Sequence, residues 1–152
     1  FRRVLFRSEN VNGMSLKDHY PNWKPCWSYW INDNVVIKHR TKGGTYAGYN
    51  NVRQGLNCHI LTGHTHVLAV QPVTGYGSNA KEYSQTFYGV QTGTLANPHS
   101  EQFSYCEDSP RDWRSGFVML TFERGQLLMP ELIQVWDKQE GEVQWRGKIY
   151  RV

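Results

Sequence analysis

The hydrophobic positions of this chain fall in short runs, each closed by residues that favour turns, and the spacing within the runs is mostly that of extended strands. Residues 9–26 are polar and irregular and end in Pro21 and Pro25. Trp27–Trp30 reads as a strand, Asn32-Asp33-Asn34 as a turn, and Val35-Val36-Ile37 as a second strand. Lys42-Gly43-Gly44 breaks the pattern, after which Thr45 can cap a helix over Tyr46–Leu56, weakened by Gly48, Asn50 and Asn51. Cys58–Thr62 reads as a buried strand, Val67–Gln71 as another, Gly75–Asn79 as a loop and Thr86–Thr92 as an alternating strand. Asn97–Ser115 is a long polar loop. Gly116–Phe122 is an apolar strand followed by a turn over Glu123–Gln126. Leu127–Val135 and Val143–Val152 complete a meander hinged at Lys138–Glu142. One helix among many strands predicts an α/β chain that is mostly β, one sheet of a larger sandwich.

Composition narrows this reading. A hydrophobic content of 39% with 14% aromatic residues belongs to a packed domain, and no apolar run approaches the roughly 18 residues of a membrane helix. The first eight residues, FRRVLFRS, coincide with the translation of a common sequencing-adapter end, so residues 1–8 read as a non-native scar and fold reasoning starts at residue 9. Setting Arg2, Arg3 and Arg7 aside reduces 17 basic residues to 14 against 13 acidic ones, a balance of +1 instead of +4. Bulk charge then gives little support to nucleic-acid binding. Three separated cysteines, Cys26, Cys58 and Cys106, carry no C-x-x-C spacing, which speaks against a disulfide framework or a zinc–cysteine site and fits a reducing, cytoplasmic compartment.

The chemistry concentrates at His59–Val70, HILTGHTHVLAV. Two histidines stand one residue apart in the turn between two apolar runs. In extended backbone, residues i and i+2 face the same side, so His64 and His66 can converge on one cavity. Neutral imidazole is a common nitrogen ligand of transition metals, and Gly63 lets the backbone turn sharply and approach a site closely. His39 ends the apolar run Val35-Val36-Ile37-Lys38 and would stand beside the pair if both runs end at one sheet edge, where α/β crevices form. A bare H-x-H is equally compatible with two packed or surface histidines, and His39 alone with a solvent-facing strand end.

With Gly63-His64-Thr65-His66, and His39 closing the preceding strand, the chain resembles the calcineurin-like metallophosphoesterase family, whose last signature is G-H-x-H. The likeness runs from Trp27 to Phe122, with Phe87–Thr94 similar to the strand and glycine turn that follow that signature. The long aromatic and polar loops resemble a phage or bacterial branch. The resemblance implies a four-layer α/β/β/α sandwich, with residues 9–152 as the C-terminal portion of a single domain. It also implies two divalent metal ions (Mn, Fe or Zn), with His39 and His64 on one and His66 on the other, and hydrolysis of a phosphoester by metal-activated water. The family's earlier signatures, D-x-H, G-D-x-x-D and G-N-H, have no counterpart here. The catalytic residues and the other half of the domain are therefore expected upstream, and this fragment alone is expected to be inactive.

The remaining candidates are weaker. Lys38 and Arg40 flank His39 and would attract a substrate phosphate, or simply solvate a strand end. Arg111, Trp113 and Arg114 would contact and stack on a nucleic acid, or form a surface loop with a tucked aromatic. His59, inside an apolar run, reads as a packed histidine, and His19 and His99 read as solvent-exposed. The substrate class is a phosphoprotein, a nucleotide or DNA, in a bacterial or phage-infected cell and away from any membrane. The alternatives are a DNA exo- or endonuclease of the same fold, a non-catalytic binding module with an incomplete metal site, or an unrelated β-rich metal domain that recruits His99 or Glu101.

Overall fold

The computed structural model describes residues 20–24, 26–55, 57–76, 84–96 and 112–152. The readings placed on residues 1–8, His19, His99, Glu101, Cys106 and Arg111, and on most of the loops at 75–79 and 97–115, lie outside the described residues.

The strands are β1 (Ser28–Asn32), β2 (Val35–Lys38), β3 (His59–Thr62), β4 (Leu68–Tyr76), β5 (Ser84–Thr92), β6 (Gly116–Met119), β7 (Phe122–Glu123), β8 (Gln126–Leu127), β9 (Glu131–Asp137), β10 (Glu142–Trp145) and β11 (Lys148–Arg151). Helix α1 (Ala47–Arg53) lies between β2 and β3. The described chain is thus mostly β with one short helix. A five-stranded sheet runs β1-β2-β3-β5-β4, a four-stranded sheet runs β11-β10-β9-β6, and β7-β8 form a small ribbon. Among the described residues no helix is long and apolar enough to cross a membrane.

Several boundaries differ from the sequence expectation. The helix is shorter, Ala47–Arg53 instead of Tyr46–Leu56, and β4 and β5 pair from Leu68 opposite Thr92 out to Tyr76 opposite Ser84, so that Gly75 and Tyr76 belong to strand and not to the expected loop. Three others have a local reason. Leu127–Val135 is split by Pro130, which has no N–H to give a ladder. Gly116–Phe122 likewise divides into β6 and the start of the β7-β8 ribbon. The expected strand Val143–Val152 is a hairpin. Arg146 and Gly147 take φ of 48° and 71°, the handedness of a tight two-residue turn, and Trp145 pairs with Lys148 across it. Arg124-Gly125, at 49° and 78°, turns β7 into β8 in the same way.

The main sheet is buried on both faces at its centre, which explains the uninterrupted apolar runs of β2 and β3. Successive side chains alternate: Val36 and Ile60 join Val52 of α1, Cys58, Val73 and Phe87 on one face. Val35, Leu61 and Val90 pack on the other against Leu127, with Val118, Leu120 and Phe122 beside them. Helix α1 reaches the sheet by direct backbone contact. A Cβ on Gly48 would lie 2.8 Å from Gly89 O, and a Cβ on Gly89 would overlap the Gly48 carbonyl. Gly48, a weakness in a helix by propensity, is therefore required by packing.

Candidate metal centre

β2, β3 and β5 run parallel, with Lys38 opposite Thr62 and Thr62 opposite Gln91. Their carboxyl ends share one edge, and the segments after them meet there: His39 after β2, the 63–67 loop after β3, and Gly93-Thr94 after β5. The segment 113–115 closes over this edge, held by Arg114 N–H to His66 O at 3.0 Å and Thr94 N–H to Arg114 O at 3.1 Å.

The two-histidine loop is not extended. His64 and His66 both adopt left-handed backbone, with φ of 60° and 58°, and Thr65 N–H donates to Gly63 O at 2.6 Å across His64. This is a three-residue turn of the rare, strained sign. Histidine tolerates this region better than most residues do, which accounts for its place in a turn. Gly63 does not supply the turn: its φ is not positive, and a Cβ there would meet only His39 O and Thr92 Oγ1 at 3.8 Å. With this backbone, the i, i+2 rule no longer governs the two rings. The His64 ring meets His39 edge-on with centroids 5.3 Å apart, whereas the His66 ring packs on Trp113 at 4.5 Å.

Both imidazoles are held toward the neutral form. His64 has its pKa lowered by desolvation first, then by the positive charge of His39, Arg40 and His66. His66 has its pKa lowered by desolvation and then by His39. Neutral imidazole is the form that ligates a metal. The structure thus brings the His39 and His64 rings together at this edge and leaves the His66 ring against Trp113. Among the described residues no group of three or more His, Cys, Asp or Glu side chains is arranged to hold one ion. His39 and Arg40 are exposed and Lys38 is half-buried.

Polar residues that no sequence motif marks hold this edge in place. Gln91 is fully buried. Its Oε1 accepts from Gly48 N–H at 3.2 Å, and its Nε2 donates to Thr65 Oγ1 at 2.9 Å and Gly44 O at 3.4 Å. Gln71 Oε1 accepts from Tyr49 N–H at 2.6 Å. Two glutamines from the sheet therefore satisfy amides at the start of α1, where no local side chain caps the helix. Thr45, expected to be that cap, instead donates to Asp112 Oδ2 at 3.4 Å. Asn51 Oδ1 accepts from Lys42 N–H at 2.8 Å and its amide reaches Thr62 Oγ1 at 3.5 Å, tying the loop after β2 to β3. The only sequence signal for Gln91 was a carboxamide inside the run Phe87–Gly93, which alternation alone assigns to either face.

Beside His64 opens a cleft of about 270 Å³, lined by the Gly43-Gly44-Thr45 loop, by Thr65 and Val67, and by Asp112 and Trp113. His59 lies away from this edge. It is buried, and its Nδ1 accepts from Tyr88 N–H at 3.0 Å, as befits a packed histidine. Compared with known protein families, characterised proteins and solved structures, the chain matches none.

Proposed function

We propose that this chain contributes one half of the active site of a metal-dependent phosphoester hydrolase with the four-layer α/β/β/α sandwich of the calcineurin-like family. The observation that carries the reading is the approach of the His39 ring, just after one parallel strand, to the His64 ring in the Gly63-His64-Thr65-His66 turn after the next, with centroids 5.3 Å apart. A crevice at the carboxyl ends of parallel strands is where α/β proteins commonly place their ligands. The resemblance at G-H-x-H supports the same assignment.

His39 and His64 would share one divalent ion, and His66 would serve a second ion after turning from Trp113 or from its present position beside it. Bound there, a pair of Mn, Fe or Zn ions would polarise a phosphoryl oxygen and supply hydroxide at neutral pH. The chain's own residues present neutral imidazoles, fix their backbone through Gln91 and Asn51, and set Lys38 and Arg40 near an incoming phosphate. The carboxylate ligands would come from polypeptide outside the described residues. A cytoplasmic setting belongs to the same reading and rests on the three separated cysteines of the sequence.

A second reading is a binding module that retains an incomplete site. It would need only the His39–His64 contact and the neighbouring cleft, without further ligands. The two readings separate in one experiment. The 152-residue chain and its His64→Ala variant are titrated with Zn²⁺ and Mn²⁺ by calorimetry, and the complete gene product and the same variant are assayed on a phosphodiester ester of p-nitrophenol. The hydrolase reading expects weak metal binding lost with His64, and hydrolysis reduced by a factor of a hundred or more. Undiminished hydrolysis in the variant would sink it, and a metal-free, inactive complete protein would favour the module.

A further inference from the structure

The cleft beside His64 has a chemistry of its own, distinct from that of the two imidazoles. We infer that it is a nucleobase subsite, formed by Trp113, Asp112 and the Gly43-Gly44-Thr45 loop, which selects nucleoside phosphates for the neighbouring histidines. This deepens the phosphoesterase reading by naming a substrate class, and it rests on that reading only for the fate of the phosphate.

Three observations support it. First, Trp113 is a fixed aromatic wall. Its backbone bridges to Val67, the adjoining Arg114 N–H is bonded to His66 O, and its ring packs edge-on against His66 at 4.5 Å. An aromatic already held in place loses little freedom when a base stacks on it. Second, the Gly43-Gly44 part of the lining carries no side chain, and among the described residues a Cβ on either glycine would meet nothing within 4 Å. At about 270 Å³ the cleft is below the ~300 Å³ at which pockets for whole drug-sized ligands begin, and it suits one planar ring system of a larger substrate.

Third, the polar groups select among planar rings. The Asp112 carboxylate is an acceptor only, so it repels a phosphate and takes an amino group such as N6 of adenine or N4 of cytosine. Thr45 donates its proton to Asp112 Oδ2 and Thr65 to Gly63 O, so toward a base both hydroxyls are acceptors. A phosphotyrosine ring carries no N–H for Asp112, so the cleft does not favour a phosphopeptide. His64 lines the same cleft, so a base seated against Trp113 leaves its sugar phosphate at the His39–His64 edge.

The test is a set of NMR titrations of the 152-residue chain, following the amides of Gly44 and Thr65 and the Trp113 indole, without added metal. AMP, CMP, ribose 5-phosphate and a phosphotyrosine peptide are compared. AMP and CMP are expected to bind at least about fivefold more tightly than ribose 5-phosphate, the smallest effect usual for base stacking. Trp113→Ala should erase that preference and Trp113→Phe should keep most of it. Gly43→Val, at a position without positive φ and with open space for a Cβ, should weaken AMP binding while the spectrum stays dispersed, which covers the case where Trp113→Ala does not fold. Equal binding of AMP and ribose 5-phosphate, or preference for the phosphotyrosine peptide, overturns the subsite. A single-stranded hexanucleotide binding more tightly than AMP identifies a polynucleotide as the source of the base, and equal affinity identifies a free nucleotide; both uphold the subsite. Preference for AMP in a chain that takes no Zn²⁺ leaves the subsite standing and removes the metal reading, and the converse pattern removes the subsite alone.

Discussion

The side-chain amide of Gln91 donates to Thr65 Oγ1 at 2.9 Å from a position with no solvent exposure, and so joins β5 to the histidine turn. The same side chain receives Gly48 N–H. Gln91→Leu would fill similar volume but strand the buried Gly48 N–H, whereas the Thr65 hydroxyl keeps Gly63 O at 3.5 Å. A buried polar group left without a partner costs about 1–3 kcal/mol, so a loss of that size is expected by urea denaturation. Zn²⁺ affinity should fall with it. A variant within 0.5 kcal/mol of the parent would mean that the network carries no stability.

Two glycines of similar appearance should behave oppositely. Alanine at Gly89 would drive its Cβ into the Gly48 carbonyl, with Gly48 Cα at 2.9 Å. Both partners are backbone and cannot rotate away, so Gly89→Ala should cost about 3 kcal/mol or more, or fail to fold. At Gly63 the added Cβ meets only ordinary contacts at 3.8 Å. Gly63→Ala should therefore shift the thermal midpoint by no more than a few degrees. A severe defect at Gly63 would contradict the placement of the turn at His64 and His66.

These contrasts show which parts of the structure were legible in the sequence. The strands around His39 and His64 were, because Val35-Val36 and Ile60-Leu61 are apolar on both faces and are bounded by turn residues. The convergence of those two histidines followed from strand order. The direction of His66 did not, because the i, i+2 rule assumes extended backbone and the loop is left-handed at both histidines. The capping of α1 was also hidden: Thr45 satisfied the local pattern, whereas the actual acceptors, Gln71 and Gln91, come from strands more than twenty residues later in the chain. Hydrogen bonds between distant segments leave no periodicity to read.

Left-handed backbone at His64 implies a conflict between stability and function. For a residue with a side chain this region costs roughly 1–2 kcal/mol, a penalty that glycine escapes. His64→Gly should hold or raise stability while abolishing metal binding, whereas His64→Ala should lose both. Urea midpoints and Zn²⁺ titrations of the two variants would show this. If His64→Gly were less stable than His64→Ala, the turn could not be called strained; if it were less stable than the parent, packing of the ring on His39 would outweigh the backbone penalty.

His59 gives the fold a pH limit. Desolvation lowers its pKa from 6.5, and its Nδ1 must stay unprotonated to accept from Tyr88 N–H at 3.0 Å. The unfolded chain therefore takes up a proton near pH 6.5 before the folded chain does. Stability should be flat with respect to this group above that pH. It should fall as pH drops from 6.5 through the lowered folded value, by at most about 1.4 kcal/mol per pH unit for one histidine. His64 and His66, lowered in the same direction, steepen the same window. Urea midpoints between about pH 5 and pH 8 would separate the contributions. His59→Gln should lose about 1 kcal/mol at pH 8 if it fails to replace the hydrogen bond, and should lose less than the parent on acidification. A slope unchanged by His59→Gln would assign the acid sensitivity to the two histidines of the turn, and would mean that folding does not lower the His59 pKa.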